Sequence, residues 1–236
     1  MPSILKLNQV KKTYGQQFHL GPFNLDVAQG DCLAVIGING SGKSTFFQMI
    51  TGNLEATSGE IFLGSQKVVI ERFDLKRQFG YLPQNTHLPP WINGFEALTY
   101  AGSLLGITDE KIIEAKMQYW DCASYRYTPI DTCSYGMQKR ISLALATLHD
   151  PHFLILDEPF SGLDLNHTFT LEKYLRQRQT KNQTTLLSTH VSPYIIRLCN
   201  RVVAIDKGKV FELTDWQGLS SEEKEQQIER AVLSSS

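Results

Sequence analysis

The sequence lacks long apolar runs. No stretch approaches the roughly 18 consecutive apolar residues that a membrane-crossing helix needs. The start, MPSILKLNQVKK, has too short an apolar segment for a secretory leader. A cytoplasmic chain is expected, with any membrane role exercised through a partner. Cysteine is scarce as well. Cys32, Cys122, Cys133 and Cys199 form no CxxC pair and no regular spacing, which argues for reduced thiols and against structural zinc or a disulfide framework. His149 and His152 stand three apart with no further ligands nearby, short of the three or four converging donors that zinc takes. Neither sign of charge is in excess. Against 23 Lys and Arg stand 24 Asp and Glu, so the basic surplus of a nucleic-acid binder is missing and no nucleic-acid partner is expected. The chain has no internal repeat and no low-complexity segment.

What is present is an ordinary globular composition, 42% hydrophobic and 20% charged over 236 residues. That length suits one large domain, or one core with a subsidiary lobe. Ile4–Val10 and Phe18–Val27 read as a strand pair around a turn near Tyr14–Gly15. Cys32–Ile36 reads as a short buried strand, followed by a Gly-rich turn and a helix from Lys43 to about Thr51 that Gly52 stops. Glu60–Leu63, Lys67–Ile70 and Phe79–Leu82 are further strands. From Phe95 to Leu148 the strand signal disappears. That region reads as three helices, Phe95–Leu105, Asp109–Trp120 and Gly136–Leu148. Alternation then resumes, with strands Phe153–Leu156, Thr184–Ser188, Val202–Ile205 and Lys209–Leu213 and helices Asn166–Lys181 and Pro193–Cys199. The tail from Ser220 reads as a solvated helix with a frayed SSS end. An α/β core with a mostly parallel sheet, interrupted by an all-helical insertion, is expected.

The strand CLAVI runs into GINGSGKST, Gly37 to Thr45. This is G-x-x-x-x-G-K-[ST] between a strand and a helix, the context the phosphate-binding loop requires. Gly37, Gly40 and Gly42, with Asn39 and Ser41 between them, let consecutive N–H groups curl toward phosphate oxygens. The helix that follows adds its positive end. Lys43 is placed for the β- and γ-phosphates and Ser44 for Mg²⁺, with Thr45 beside it. A glycine-rich turn with an incidental lysine is the plainer reading, and the flanking strand and helix weigh against it.

FLILDEP, Phe153 to Pro159, is an apolar strand that ends in two acids. Open α/β sheets bind ligands at such strand ends. Asp157 suits a metal held through water, and Glu158 suits polarising an attacking water. His190, in STH after the strand TTLLS, could reach a γ-phosphate or make an ordinary hydrogen bond at a helix start. Gln84, in YLPQN, is on its own a loop glutamine.

In order along the chain, GINGSGKST, YLPQ, SYGMQ, LILDEP, SGLD and STH resemble the ATP-binding cassette (ABC) family, from Leu5 to about Leu213. The resemblance implies a P-loop NTPase core with flanking helices, an N-terminal antiparallel β subdomain and an inserted all-helical subdomain. It places a single ATPase domain at 1–213, with core segments 1–84 and 151–213, the helical insertion at about 85–150, and a short helical tail at 214–236. It implies ATP and Mg²⁺ as cofactors and ATP hydrolysis as the activity. Tyr14 matches the aromatic that stacks on adenine. Gln84 matches the glutamine that senses Mg²⁺ and the attacking water, Glu158 the catalytic glutamate and His190 the switch histidine. Two cassettes would close head to tail, so that Ser134 and Gly136 of one copy meet the ATP cradled by the other, and Asp164 lies in the loop crossing that interface.

One cassette, with Ser134 ninety positions after Ser44, leaves room for a helical lobe and none for a long coiled coil. This favours the ATPase subunit of a membrane transporter, peripheral on the cytoplasmic face. Its partners would be a permease on a separate chain and a second copy of itself or a paralogous ATPase. The segment LPPWING, Leu88 to Gly94, resembles the region that receives a permease helix. A soluble assembly or repair ATPase without a permease is the alternative; a nucleotide module without catalysis sits poorly with intact Lys43, Glu158 and His190. SYGMQ departs from the family's LSGGQ: Cys133 replaces Leu, Tyr135 the first Gly and Met137 the Gln. Ser134 can still cap its helix, and Gln138 is not an obvious substitute for the lost amide. The -GM- form resembles cassettes of two-part exporters.

Overall fold

Two sheets organise the chain in this computed structural model, which describes residues 2–15, 18–70, 74–85 and 88–233. The first is antiparallel. Strands β1 (Ser3–Tyr14) and β2 (Phe18–Ala28) form a hairpin, and β4 (Ser58–Leu63) and β5 (Gln66–Lys67) continue it in the order β2-β1-β4-β5. The second sheet holds β3 (Cys32–Ile36), β6 (Phe79–Leu82), β7 (Phe153–Leu156), β8 (Thr184–Ser188), β9 (Arg201–Asp206) and β10 (Lys209–Glu212). Its order is β10-β9-β3-β8-β7-β6, parallel throughout except for β10 on β9.

Strands of the parallel sheet read as unbroken apolar runs because both faces are covered. Leu33, Val35, Phe153, Ile155, Leu186, Val203 and Ile205 point to one face. There they pack with the antiparallel sheet and with Phe46, Phe47, Met49 and Ile50 of α1 (Lys43–Ile50). Cys32, Ala34, Ile36, Leu154, Leu156, Leu187, Val202 and Ala204 point to the other face. They meet the remaining helices: α2 (Gly94–Leu105), α3 (Glu110–Tyr119), α4 (Tyr135–Ala146), α5 (Leu165–Thr180), α6 (Ser192–Leu198) and α7 (Ser221–Leu233).

Helices α2 to α4 lie between β6 and β7 in the chain. Asn93 and Glu96 form a reciprocal capping box at the start of α2, and Gly106 ends that helix in the left-handed conformation. Trp120 ties the end of α3 to the end of α4, its Nε1 donating to Thr147 Oγ1 at 2.8 Å. Arg178, fully buried at the end of α5, donates to Pro151 O (2.9 Å), Thr184 O (2.8 Å) and Thr185 Oγ1 (3.1 Å). A buried guanidinium needs such a set of acceptors, and here they lie at the starts of β7 and β8.

Two expectations are corrected. The run Lys67–Ile70 pairs as a strand only over Gln66–Lys67; Val69 and Ile70 leave the sheet for solvent. The tail is not a fully solvated helix, because Ile228 and Ala231 of α7 are buried in the second core. Its SSS end lies outside the described residues.

Candidate active site

The turn between β3 and α1 forms one wall of the site. A side chain on Gly37 would meet the Ile205 carbonyl oxygen and the Ser41 hydroxyl, the latter at 2.6 Å. Gly42 precedes α1 with φ 114, makes no side-chain cap and is followed by no acid in the first turn. The positive start of α1 is thus left without a side-chain acceptor. Lys43 folds back over the turn, its Nζ donating to Gly37 O at 2.6 Å and Ile38 O at 3.0 Å. Burial pushes its ammonium below the usual lysine range, against the opposing pull of Glu158 and Asp157.

The opposite wall comes from the ends of β7 and β8. Their parallel register, with Leu156 beside Leu187, brings Asp157 and Glu158 next to Ser188. The Ser188 hydroxyl donates to Asp157 Oδ1 at 2.5 Å and accepts from Glu158 N at 2.9 Å. Burial raises both carboxyls above the usual range; the Ser188 hydrogen bond opposes this at Asp157, and the charges of His190 and Lys43 oppose it at Glu158. His190 Nε2 approaches Glu158 Oε1 to 3.0 Å. Buried Oε1 nevertheless takes no hydrogen bond among the described residues. Glu158 also holds a left-handed backbone, φ 47, uncommon for any residue but glycine.

Gln84 follows β6. Lys139 of α4, buried, reaches the Gln84 carbonyl at 3.4 Å. Burial pushes the Lys139 ammonium down to about 8, with Asp157 and Glu158 pulling the other way. At the far end, the half-exposed Tyr14 ring lies tilted against Phe18, centroids 6.0 Å apart, with Lys12 Nζ 5.3 Å from the Tyr14 centroid.

These parts enclose a cleft of about 560 Å³ lined by Tyr14, Phe18, Asn39, Gly40, Gly42, Lys43, Ser44, Thr45, Gln84, Asp157, Glu158 and His190. Ser41 is buried within the turn. An uncapped positive helix end, a lysine, two carboxyls and a buried carboxylate oxygen without a hydrogen bond suit a phosphate chain carrying a divalent cation. Ser44, Gln84 and Asp157 offer the oxygens such a cation takes.

Ser134, Gly136 and Asp164 are absent from that lining. Ser134 caps α4, its Oγ accepting from Met137 N at 3.3 Å, and Asp164 caps α5, accepting from His167 N at 3.0 Å. Gln138 donates to Ile130 O (2.9 Å) and Cys133 O (3.1 Å). Its amide therefore holds the preceding loop instead of replacing the amide that Met137 lacks. Phe18, Ser188 and Lys139 escaped the sequence reading. Phe18 opens a strand four residues after Tyr14, which was an available signal; the other two depend on strand register and helix packing.

The sequence model of the family described as ABC transporter matches residues 20–161. An uncharacterized ABC transporter ATP-binding protein, YxlF of Bacillus subtilis (strain 168), is 34% identical over 227 residues, spanning 95% of this chain and 74% of that protein. The Nod factor export ATP-binding protein I of Cupriavidus metallidurans is 30% identical over 89% of this chain and 70% of its own. A solved ATP-binding subunit of an ABC transporter superposes with a TM-score of 0.85 at 26% identity, covering 96% of this chain and 99% of that one. A dimeric bacterial ABC transporter cassette shares the fold, with a TM-score of 0.80 at 22% identity over 87% of this chain and 96% of its own. The site and these likenesses agree: the chain belongs to the ABC transporter family, as an ATP-binding and ATP-hydrolysing subunit.

Proposed function

We propose that this subunit closes head to tail with a second copy or a paralogous ATPase around two ATP molecules, and that closure drives a separate membrane permease. The single observation that carries this is the division of the predicted site residues. Lys43, Gln84, Asp157, Glu158 and His190 share one cleft, while Ser134, Gly136 and Asp164 lie outside it and need another chain's nucleotide to act on.

In this reading Tyr14 stacks on adenine, and the 37–45 turn with Lys43 holds the phosphates. Ser44, Gln84 and Asp157 would hold Mg²⁺, which supplies charge neutralisation on the phosphate oxygens. Glu158 orients and polarises the attacking water through its unbonded oxygen, and His190, 3.0 Å from that oxygen, would contact the γ-phosphate. Ser134 and the N–H groups at the start of α4 stabilise charge in the transition state from across the dimer. The cassette domain spans 1–213 with its helical insertion at about 85–150, followed by the tail at 214–236. The chain works at the cytoplasmic face, and the export named in relatives such as the Nod factor protein supports an exporter.

The test is recovery of the tagged protein from detergent-solubilised membranes, followed by identification of what co-purifies. A multi-span membrane protein is expected. Recovery of soluble partners alone overturns the permease. In parallel, Glu158→Gln should bind ATP, cease turnover and accumulate as a dimer; a monomer at saturating ATP overturns head-to-tail closure.

A further inference from the structure

Four polar side chains outside the cleft form one connected array. Arg140 Nη1 donates to Asp121 O at 2.6 Å and to Asp121 Oδ2 at 2.7 Å, and it stands 2.9 Å from His167 Nε2. His167 Nδ1 lies 2.7 Å from Asp164 Oδ1. A guanidinium only donates. With the ring neutral, Nε2 therefore accepts from Arg140, and Nδ1–H donates to Asp164. The same Nε2 lies 3.1 Å from Asp121 Oδ2, so a protonated ring also stays inside the array.

The placement of these groups is informative. Arg140 and His167 are 14% and 18% exposed as side chains, beneath Asp121 and Asp164 at 72% and 65%. The guanidinium is held from another side by the Tyr125 ring, 5.1 Å from its centroid. Asp121 turns back at the end of α3 with φ 50, a position that favours glycine or asparagine. Glycine there would lose the carboxylate that meets Arg140. Arg140 belongs to the helix that Ser134 caps, and His167 to the helix that Asp164 caps. A second contact joins the same two turns. The Tyr135 ring occupies the space beside Gly162, and a side chain on Gly136 would lie 2.8 Å from Gly162 O.

We propose that Arg140 and His167 are positioning residues that lock the 134–137 turn and the 161–164 loop into one rigid surface, which a second cassette's ATP meets as a unit. This rests on the head-to-tail reading above. Neither residue lines this chain's own cleft. Loosening them therefore acts on the nucleotide held by the other copy and leaves binding in the chain's own cleft alone. Tyr135, which departs from the family's glycine, then fills the space over Gly162 and stiffens the join.

The test compares His167→Leu and Arg140→Met with His167→Gln and Arg140→Lys. Each is made in the parent and in the Glu158→Gln background. Fluorescent-ATP affinity of the dilute monomer, thermal midpoint, kcat and the ATP-dependent dimer fraction are measured. We expect unchanged monomer affinity, a kcat lower by about tenfold (the scale of one lost hydrogen bond to a charged group), and a smaller dimer fraction. His167→Gln should recover part of both losses. If His167→Leu and Arg140→Met turn over and dimerise like the parent, the lock is overturned while head-to-tail closure stands. A fall in monomer affinity or thermal midpoint that accounts for the whole kcat loss also overturns it. If Glu158→Gln alone forms no ATP dimer, both readings fall together.

Discussion

The Ser188 hydroxyl is shared with Asp157, donating to Oδ1 at 2.5 Å while it accepts the Glu158 N–H at 2.9 Å. One side chain at the end of β8 thus sets both acids at the end of β7. Ser188→Ala leaves Asp157 Oδ1 and Glu158 N–H buried without that partner, which costs roughly 1–3 kcal/mol. Losing the hydrogen bond also adds to the upward pressure that burial already puts on the Asp157 carboxyl. Urea titration should show the lower stability, and steady-state turnover should fall more than ATP affinity does.

Gly37→Ala drives a methyl group into the Ile205 carbonyl oxygen and toward the Ser41 hydroxyl. The first is backbone of β9 and the second belongs to the turn, so the turn itself must move. ATP affinity should fall steeply, as read by equilibrium binding. The fold should survive with a loss of about 1–3 kcal/mol, the cost of a strained backbone site.

Lys139 titrates abnormally low, at about 8 against 10.5 for an ordinary lysine. Between those two values the unfolded chain binds more protons than the folded one, so this residue's contribution to stability rises with pH across the window. Below about 8 the lysine is protonated in both states, and its buried charge is a constant penalty. Lys139→Met should therefore be more stable than the parent at pH 7, with the gap narrowing as pH climbs toward 10. Denaturant midpoints across that range check the slope.

Ile228 anchors α7 against the core, and with Ile195 and Val232 it lines a small cavity that also touches Gly37, Thr189 and His190. Ile228→Ala should cost about 2 kcal/mol, the lower end for a core truncation because the site lies at the edge of the core. A calorimetric midpoint measures it. Turnover should fall with ATP affinity nearly retained, since α7 packs behind the segment that carries His190.

Strands β3, β6, β7 and β8 begin and end where the sequence predicts, because each short run ends at a turn-forming or polar residue, Gly37, Pro83, Asp157 and Thr189. The same logic overextends Lys67–Ile70, where apolar residues at the edge of a short sheet face solvent. In the tail, Ile228, Ala231 and Val232 repeat at helical spacing, so the packed face of α7 was legible; the charged residues around it concealed the signal. The phosphate turn is legible because its spacing is local to one loop. Ser188 beside Asp157, thirty-one residues away, and Lys139 beneath Gln84, fifty-five residues away, are not. Those contacts depend on which strands neighbour each other and how α4 lies across them, and neither follows from local residue order.

The left-handed backbone at Glu158 sets thermal tolerance against turnover at a single position. Glycine would relax that backbone and remove a carboxyl that burial disfavours, so Glu158→Gly should raise the melting midpoint of an inactive protein. A screen that rewards heat resistance alone would collect changes at residue 158. A screen that rewards ATP hydrolysis would return the glutamate, and the distance between the two outcomes measures how far the fold is bent to keep it.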